Sequence, residues 1–257
     1  MTERENKLAR FDWPAVVEKV RARTPARLLE GRSGAAYRTD TQMELREAHA
    51  AARDAVRTEL DLQRDFGPAF VEQWKLFGVN TRARDKDEYL LRPDLGRRLS
   101  EGSREHVSAL CPRERDLQIL IGDGLSVTAV VKQVPLLLPL LHEGAQSRQW
   151  TVGRCFCIRY CRVGLLNEVG ELLAPQVAIL LIGERPGLAT AESLSAYLAY
   201  RPTKSHTDAN RNLISNIHDR GTRPQHAATR ILDLAEQMMK SQTSGFSLRE
   251  QPPALEI

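Results

Sequence analysis

Several signatures that would settle a function at once are missing from these 257 residues. The longest apolar run, "VPLLLPLL" from Val134 to Leu141, is broken by Pro135 and Pro139 and falls far short of the about 20 residues a membrane-spanning helix needs. No membrane association is expected. The amino terminus, "MTERENKLARFDWP", mixes acids with bases and lacks the apolar core of a secretory leader, which predicts an intracellular, cytoplasmic chain. Cysteine is scarce: Cys111, Cys155, Cys157 and Cys161 make up the set, and no second pair with zinc-ligand spacing accompanies the three in "RCFCIRYCRV". Buried, reduced thiols and no metal ligand follow from that, with Cys155 and Cys157 on one face if the segment is a strand. Charge of one sign is not concentrated either. The 37 Lys and Arg are dispersed among 33 Asp and Glu for a net charge of +4, a solvated surface rather than a nucleic-acid-binding stripe.

Familiar catalytic motifs are absent as well. "IGDGLS" carries the first half of a dinucleotide-binding turn, but Val127 stands where the third glycine belongs. No Gly-Lys-Ser/Thr follows a glycine-rich turn, and Ser126 lacks a Gly-x-Ser-x-Gly elbow. No catalytic residue is therefore assigned to this chain.

What is present is an α/β pattern. Val177–Ile182 is a short, wholly apolar run that reads as a strand covered on both faces. It ends at Gly183, places Glu184 and Arg185 at its tip, and turns on Pro186 and Gly187, after which Ala191–Tyr200 reads as a helix. Leu117–Ile121, "RCFCIRYCRV" and the segment around Ile214–Ile217 read as further strands. Helices are expected over Val127–Val134 with a proline-interrupted continuation to His142, and over Gln225–Met239, with Ser126 capping the first. Alternating buried strands and helices imply a Rossmann-like, mostly parallel sheet flanked by helices. In such a sheet the turns after the strands share one edge, so Asp123 and Gly124, Arg162 and Val163, Glu184–Gly187 and Asn216–His218 should surround one crevice. Residues 1–105 read as a helical amino-terminal region, in which Thr39–Phe66 forms one long amphipathic helix capped by Thr39 or Asp40. Residues 106–243 then form the α/β domain, and residues 244–257, with Pro252 and Pro253, a flexible tail.

The strings "ARLLEGRSG", "YLLRPDLGRRL", "DLQILIGDGLS", "RYCRV", "EVGELL", "ILLIGERPGLATAESLSAYLAY" and "ISNIHDRGTRPQHAA", in this order from Thr24 to Met239, strongly resemble the small (light) subunits of ethanolamine ammonia-lyase. That resemblance implies a lyase dependent on adenosylcobalamin that converts ethanolamine to acetaldehyde and ammonia by a radical route. It also implies a larger barrel-shaped partner subunit against which the amino-terminal region docks, an assembly of six large and six small subunits, and packaging in a bacterial microcompartment. The family's cobalamin contacts fall on Val163, Glu184 and Leu213. The family pattern has Gly where Cys161 stands and Cys where Leu213 stands, so the resemblance gives Leu213 a main-chain or packing contact. "NIHDRG" is similar to the cobalt-ligating histidine box of some cobalamin mutases, with Asn216 in place of its Asp. The resemblance makes His218 a supporting or capping residue rather than a metal ligand. A second reading of the same crevice is a non-catalytic nucleotide-sensing or interaction module.

Overall fold

The computed structural model describes residues 14–24, 26–248 and 250. The leader expectation at residues 1–13 lies outside them, as does the expected tail from residue 251 onward. Helix α1 (Ala15–Ala22) and a small hairpin, β1 (Arg32–Ser33) with β2 (Ala36–Tyr37), precede α2 (Thr39–Arg57), α3 (Leu62–Phe66) and α4 (Pro68–Gln73). Then come β3 (Gly78–Asn80), α5 (Lys86–Leu91), α6 (Glu101–Leu110), β4 (Leu117–Gly122), α7 (Val127–Ser147), β5 (Phe156–Arg159) and α8 (Leu165–Leu173). The chain continues through β6 (Val177–Gly183), β7 (Leu194–Tyr200), β8 (Asn212–Ile217) and α9 (Pro224–Ser241).

Six strands form one mixed sheet in the order β3-β5-β4-β6-β7-β8. The half from β3 to β6 is parallel, as expected, whereas β7 runs antiparallel to both β6 and β8. Helices cover both faces. Ile119, Ile121, Ile179 and Leu181 pack on α7 and α9, while Leu120, Phe156 and Leu180 pack on α6 and α8. Every residue of β4 and β6 is buried, which is why β6 reads as an unbroken apolar run and β4 as one interrupted by Gln118 alone.

Three helical expectations are corrected. Leu194–Tyr200 is a strand, not the end of a helix: "LSAYLAY" has residues compatible with either state, and full-length pairing with β6 decides the matter. The long helix from Thr39 ends at Arg57. Leu60 leaves the helical path to be buried in the core, and α3 restarts with the Asp61 carboxylate accepting the Arg64 N–H at 2.9 Å. At the other end Arg38, not Thr39 or Asp40, is the cap residue. Helix α7 passes straight through Pro135 and Pro139. The two prolines lie four residues apart on one half-buried flank, so the carbonyls they deprive of donors share a single side of the helix. Ser126 does cap α7, its Oγ accepting the Ala129 N–H at 3.2 Å. Past α9, Ser244 accepts the Tyr200 N–H at 3.0 Å, and the Asn212 amide holds the backbone of Gly245 and Leu248.

Candidate functional site

Strands β4, β5, β6 and β8 all end at one rim, because two antiparallel steps return β8 to the direction of β6. A half-open cavity of about 360 Å³ lies there. Val163 from the turn after β5, Glu184 from the tip of β6 and Leu213 from β8 all line it, so three residues remote in sequence meet at one place. Gly124, Arg162 and Arg185 also reach the cavity. Asp123 and His218, in the turns after β4 and β8, and Asn216, near the end of β8, adjoin the cavity without lining it.

Glu184 is the most heavily fixed of these side chains. Its Oε2 accepts the Ser193 hydroxyl at 2.6 Å, and its Oε1 accepts the Ser195 hydroxyl at 2.5 Å and the Asn216 N–H at 3.0 Å. Those donors belong to β7, the loop before it and the end of β8, so one carboxylate ties three strand ends together. A carboxylate offers about four acceptor positions. Three are used, which leaves one on Oε2. Arg185 stands exposed on the rim. Tyr197, two residues beyond Ser195 and on the same face of β7, completes this wall. Burial, and then the Glu184 charge, raise its phenol above the ordinary value.

The opposite wall comes from the amino-terminal half. Tyr89 on α5 is wholly buried and donates its hydroxyl to the Cys161 carbonyl at 2.9 Å. The Arg162 guanidinium lies 4.2 Å over the Tyr89 ring, and the Arg162 N–H donates to the Gly96 carbonyl at 2.9 Å. Sequence reasoning missed Lys86, Tyr89, Ser193, Ser195 and Tyr197. The two serines and Tyr197 were concealed by the helical reading of β7; alternation in "SLSAY" was the available signal.

Asp123 is fully buried at the tip of β4. Its Oδ2 and Oδ1 accept the N–H groups of Tyr160 and Cys161, both at 2.9 Å, and Lys86 Nζ stands 3.6 Å from Oδ2. Burial pushes this carboxyl above its ordinary value, against the opposing pull of Lys86 and the backbone amides. His218 is a capping residue: its Nε2 is 2.8 Å from Asn216 Oδ1, and its Nδ1 accepts the Arg220 N–H at 3.3 Å. The four cysteines are buried and unlinked, and Cys155 and Cys157 share one core face. Burial pushes the Cys111 thiol up to about 11 and raises the other three well above the ordinary thiol value, so none is a ready thiolate. Among the described residues, no three His, Cys, Asp or Glu side chains gather as a metal site. Nor is any helix there long and apolar enough to cross a membrane.

Residues 14–249 match the family model of the ethanolamine ammonia-lyase light chain. The chain is 41% identical over 231 residues to the ethanolamine ammonia-lyase small subunit of Clostridium perfringens, covering 90% of this chain and 76% of the relative. Identity to the Clostridioides difficile small subunit is 39% over 230 residues, with 90% and 76% covered. For Clostridium acetobutylicum it is 38% over 233 residues, with 91% and 94% covered. A match over nearly the whole described length, with relatives this similar, places the chain in the ethanolamine ammonia-lyase light-chain family.

Proposed function

We propose that this chain is the small subunit of an adenosylcobalamin-dependent ethanolamine ammonia-lyase and that its rim cavity grips one side of the cofactor at the junction with the large subunit. The observation that carries this reading is the meeting of Val163, Glu184 and Leu213 in one half-open cavity. The donor set suits a corrin. Val163, Ile182 and Leu213 offer apolar contact, while Glu184, Ser195 and Ser215 offer hydrogen-bonding partners for amide arms. At about 360 Å³ and open on one side, the cavity suits a partial grip that a second protein completes. Bound adenosylcobalamin would supply the radical chemistry that turns ethanolamine into acetaldehyde and ammonia.

This chain's residues bind and orient. Glu184 accepts from an amide arm through its remaining Oε2 position, Val163 provides backbone and apolar contact, and Leu213, 45% exposed, packs through its side chain beside its strand backbone. The amino-terminal region docks on the large subunit. Supporting that, Val16, Val20, Leu28, Leu29, Tyr37 and Met43 are all exposed there, six of the eleven exposed large apolar side chains among the described residues. The same reading carries the six-plus-six assembly and a place in a bacterial microcompartment.

The test is reconstitution with the large subunit followed by titration with cobalamin. Glu184→Ala should weaken cobalamin binding roughly 10- to 100-fold, the worth of a charged hydrogen bond, and leave the KM for ethanolamine unchanged. Unchanged cobalamin affinity would remove Glu184 from the site. Thermal stabilisation by nucleotides, with none by cobalamin plus large subunit, would favour the sensing-module reading instead.

A further inference from the structure

The turn after β5 is an awkward piece of backbone. Tyr160 has φ 60°, a left-handed conformation that costs a residue with a Cβ roughly 1–2 kcal/mol. In that conformation the N–H groups of Tyr160 and Cys161 both point back toward the tip of β4, into a region without solvent, where each unpaired donor would be costly. Asp123 meets both with one carboxylate. Lys86 backs it from α5, donating also to the Gly124 carbonyl at 3.3 Å, with its ammonium 5.1 Å from the Tyr89 ring centroid. The turn is then closed from outside by the Tyr89 hydroxyl on the Cys161 carbonyl and by the Gly96 carbonyl on the Arg162 N–H. Arg162 and Val163, the next two residues, enter the cavity directly from this clamp.

We propose that Asp123, backed by Lys86, is a positioning residue of the cavity, fixing the turn that presents Arg162 and Val163 without itself touching what binds there. This rests on the reading that the cavity holds cobalamin. A control is built into the same strand. Asp116, just before the opposite end of β4, accepts the Thr151 N–H and hydroxyl and the Gln176 side-chain amide, so it too ties loops together, but far from the cavity.

The experiment compares Asp123→Asn and Asp116→Asn in the complex reconstituted with the large subunit, titrated with cyanocobalamin and followed by its absorption spectrum. Asp123→Asn should weaken binding about tenfold or more and speed amide exchange at Tyr160 and Cys161 in the cobalamin-free complex. Asp116→Asn should stay within about twofold of wild type. If Asp123→Asn does not assemble, Lys86→Gln takes its place, with about threefold weakening expected. Wild-type affinity in the assembled variant at position 123, or in Lys86→Gln where that stands in, would overturn the proposal. Equal weakening by Asp116→Asn would do the same. A wild-type complex that binds no cyanocobalamin would remove the underlying reading, and this inference with it.

Discussion

Strand β4 is flanked by Asp116 at its foot and Asp123 at its tip, and each carboxylate takes hydrogen bonds from loops that follow other elements. Their surroundings differ. Asp116 lies at the surface, where the penalty of partial burial is outweighed by bonds from Thr151 and Gln176, and its carboxyl sits below the ordinary value. Asp123 is sealed under α5, and there burial wins over Lys86 and three backbone amides. One arrangement of atoms therefore serves a cheap, solvated tie at the foot and a costly, buried one at the rim. A buried charge pair is poor value for stability alone, since desolvation consumes most of its attraction. Its presence at the rim fits a demand for a fixed turn there.

The sharpest way to break this comparison is to add one methyl group at each end of the sheet. A Cβ on Gly183 would stand 2.0 Å from the Ser126 carbonyl oxygen and 2.9 Å from that of Asp123, both backbone atoms of the turn that meets β6. Gly153→Ala at the foot would meet the Gln118 Oε1 at 2.1 Å, the end of a buried side chain whose Nε2 donates to the Ile119 and Arg154 carbonyls, so it yields at the expense of those bonds but without moving backbone. Gly183→Ala should cost about 3 kcal/mol or more, and Gly153→Ala about 1–2 kcal/mol, in denaturant unfolding. Equal losses would mean that the rim is no more tightly built than the foot.

A second contrast is one of sign. The depressed carboxyl of Asp116 contributes stability that is present above the ordinary carboxylate value and lost as pH falls through the folded-state value. The raised carboxyl of Asp123 works the other way: between its ordinary and folded-state values, the native protein binds more protons than the unfolded chain, so its contribution falls as pH rises. Subtracting the stability of Asp116→Asn from that of wild type should give a difference that shrinks from pH 7 toward pH about 3. The same subtraction for Asp123→Asn should give a difference that grows over that interval. Parallel trends would show that Lys86 and the amides overcome burial at the rim.

How far the rim was legible in the sequence follows from which interactions are local. β6 is apolar on both faces and β4 nearly so, with Gln118 its one polar residue, so their ends, and the turns beyond them, could be placed from residue order. Helix α9 announced itself by its period, and Ser126 by its place before α7. The three-residue β3 has no such pattern and exists because Gly78–Asn80 pairs with Cys157–Arg159, far along the chain. β7 is a strand through its neighbours on both sides. Nothing in the sequence singles out Lys86 or Tyr89, because their role depends on Asp123 and Cys161, and no local spacing encodes a tertiary clamp. Asp123 was legible as a residue of the crevice, but not as the acceptor that holds the turn after β5, since the two N–H groups it satisfies belong to another strand's exit.

The smallest effects should come from the cavity wall made by β7 and β8, where the contacts are individually replaceable. Ser195→Ala removes one of three donors to Glu184, leaving the Ser193 hydroxyl and the Asn216 N–H to hold the carboxylate. Leu213→Ala trims a side chain that is 45% exposed and leaves the strand's pairing with Tyr197, which is made by backbone, in place. In the reconstituted complex Ser195→Ala should weaken cobalamin binding about threefold, since the freed carboxylate position can be taken by water or by an amide arm. Leu213→Ala should change it less than that and shift stability by under about 0.5 kcal/mol. The order matters more than the sizes: a larger loss at Leu213 than at Ser195 would mean that apolar packing, and not the anchored carboxylate, governs this side of the grip.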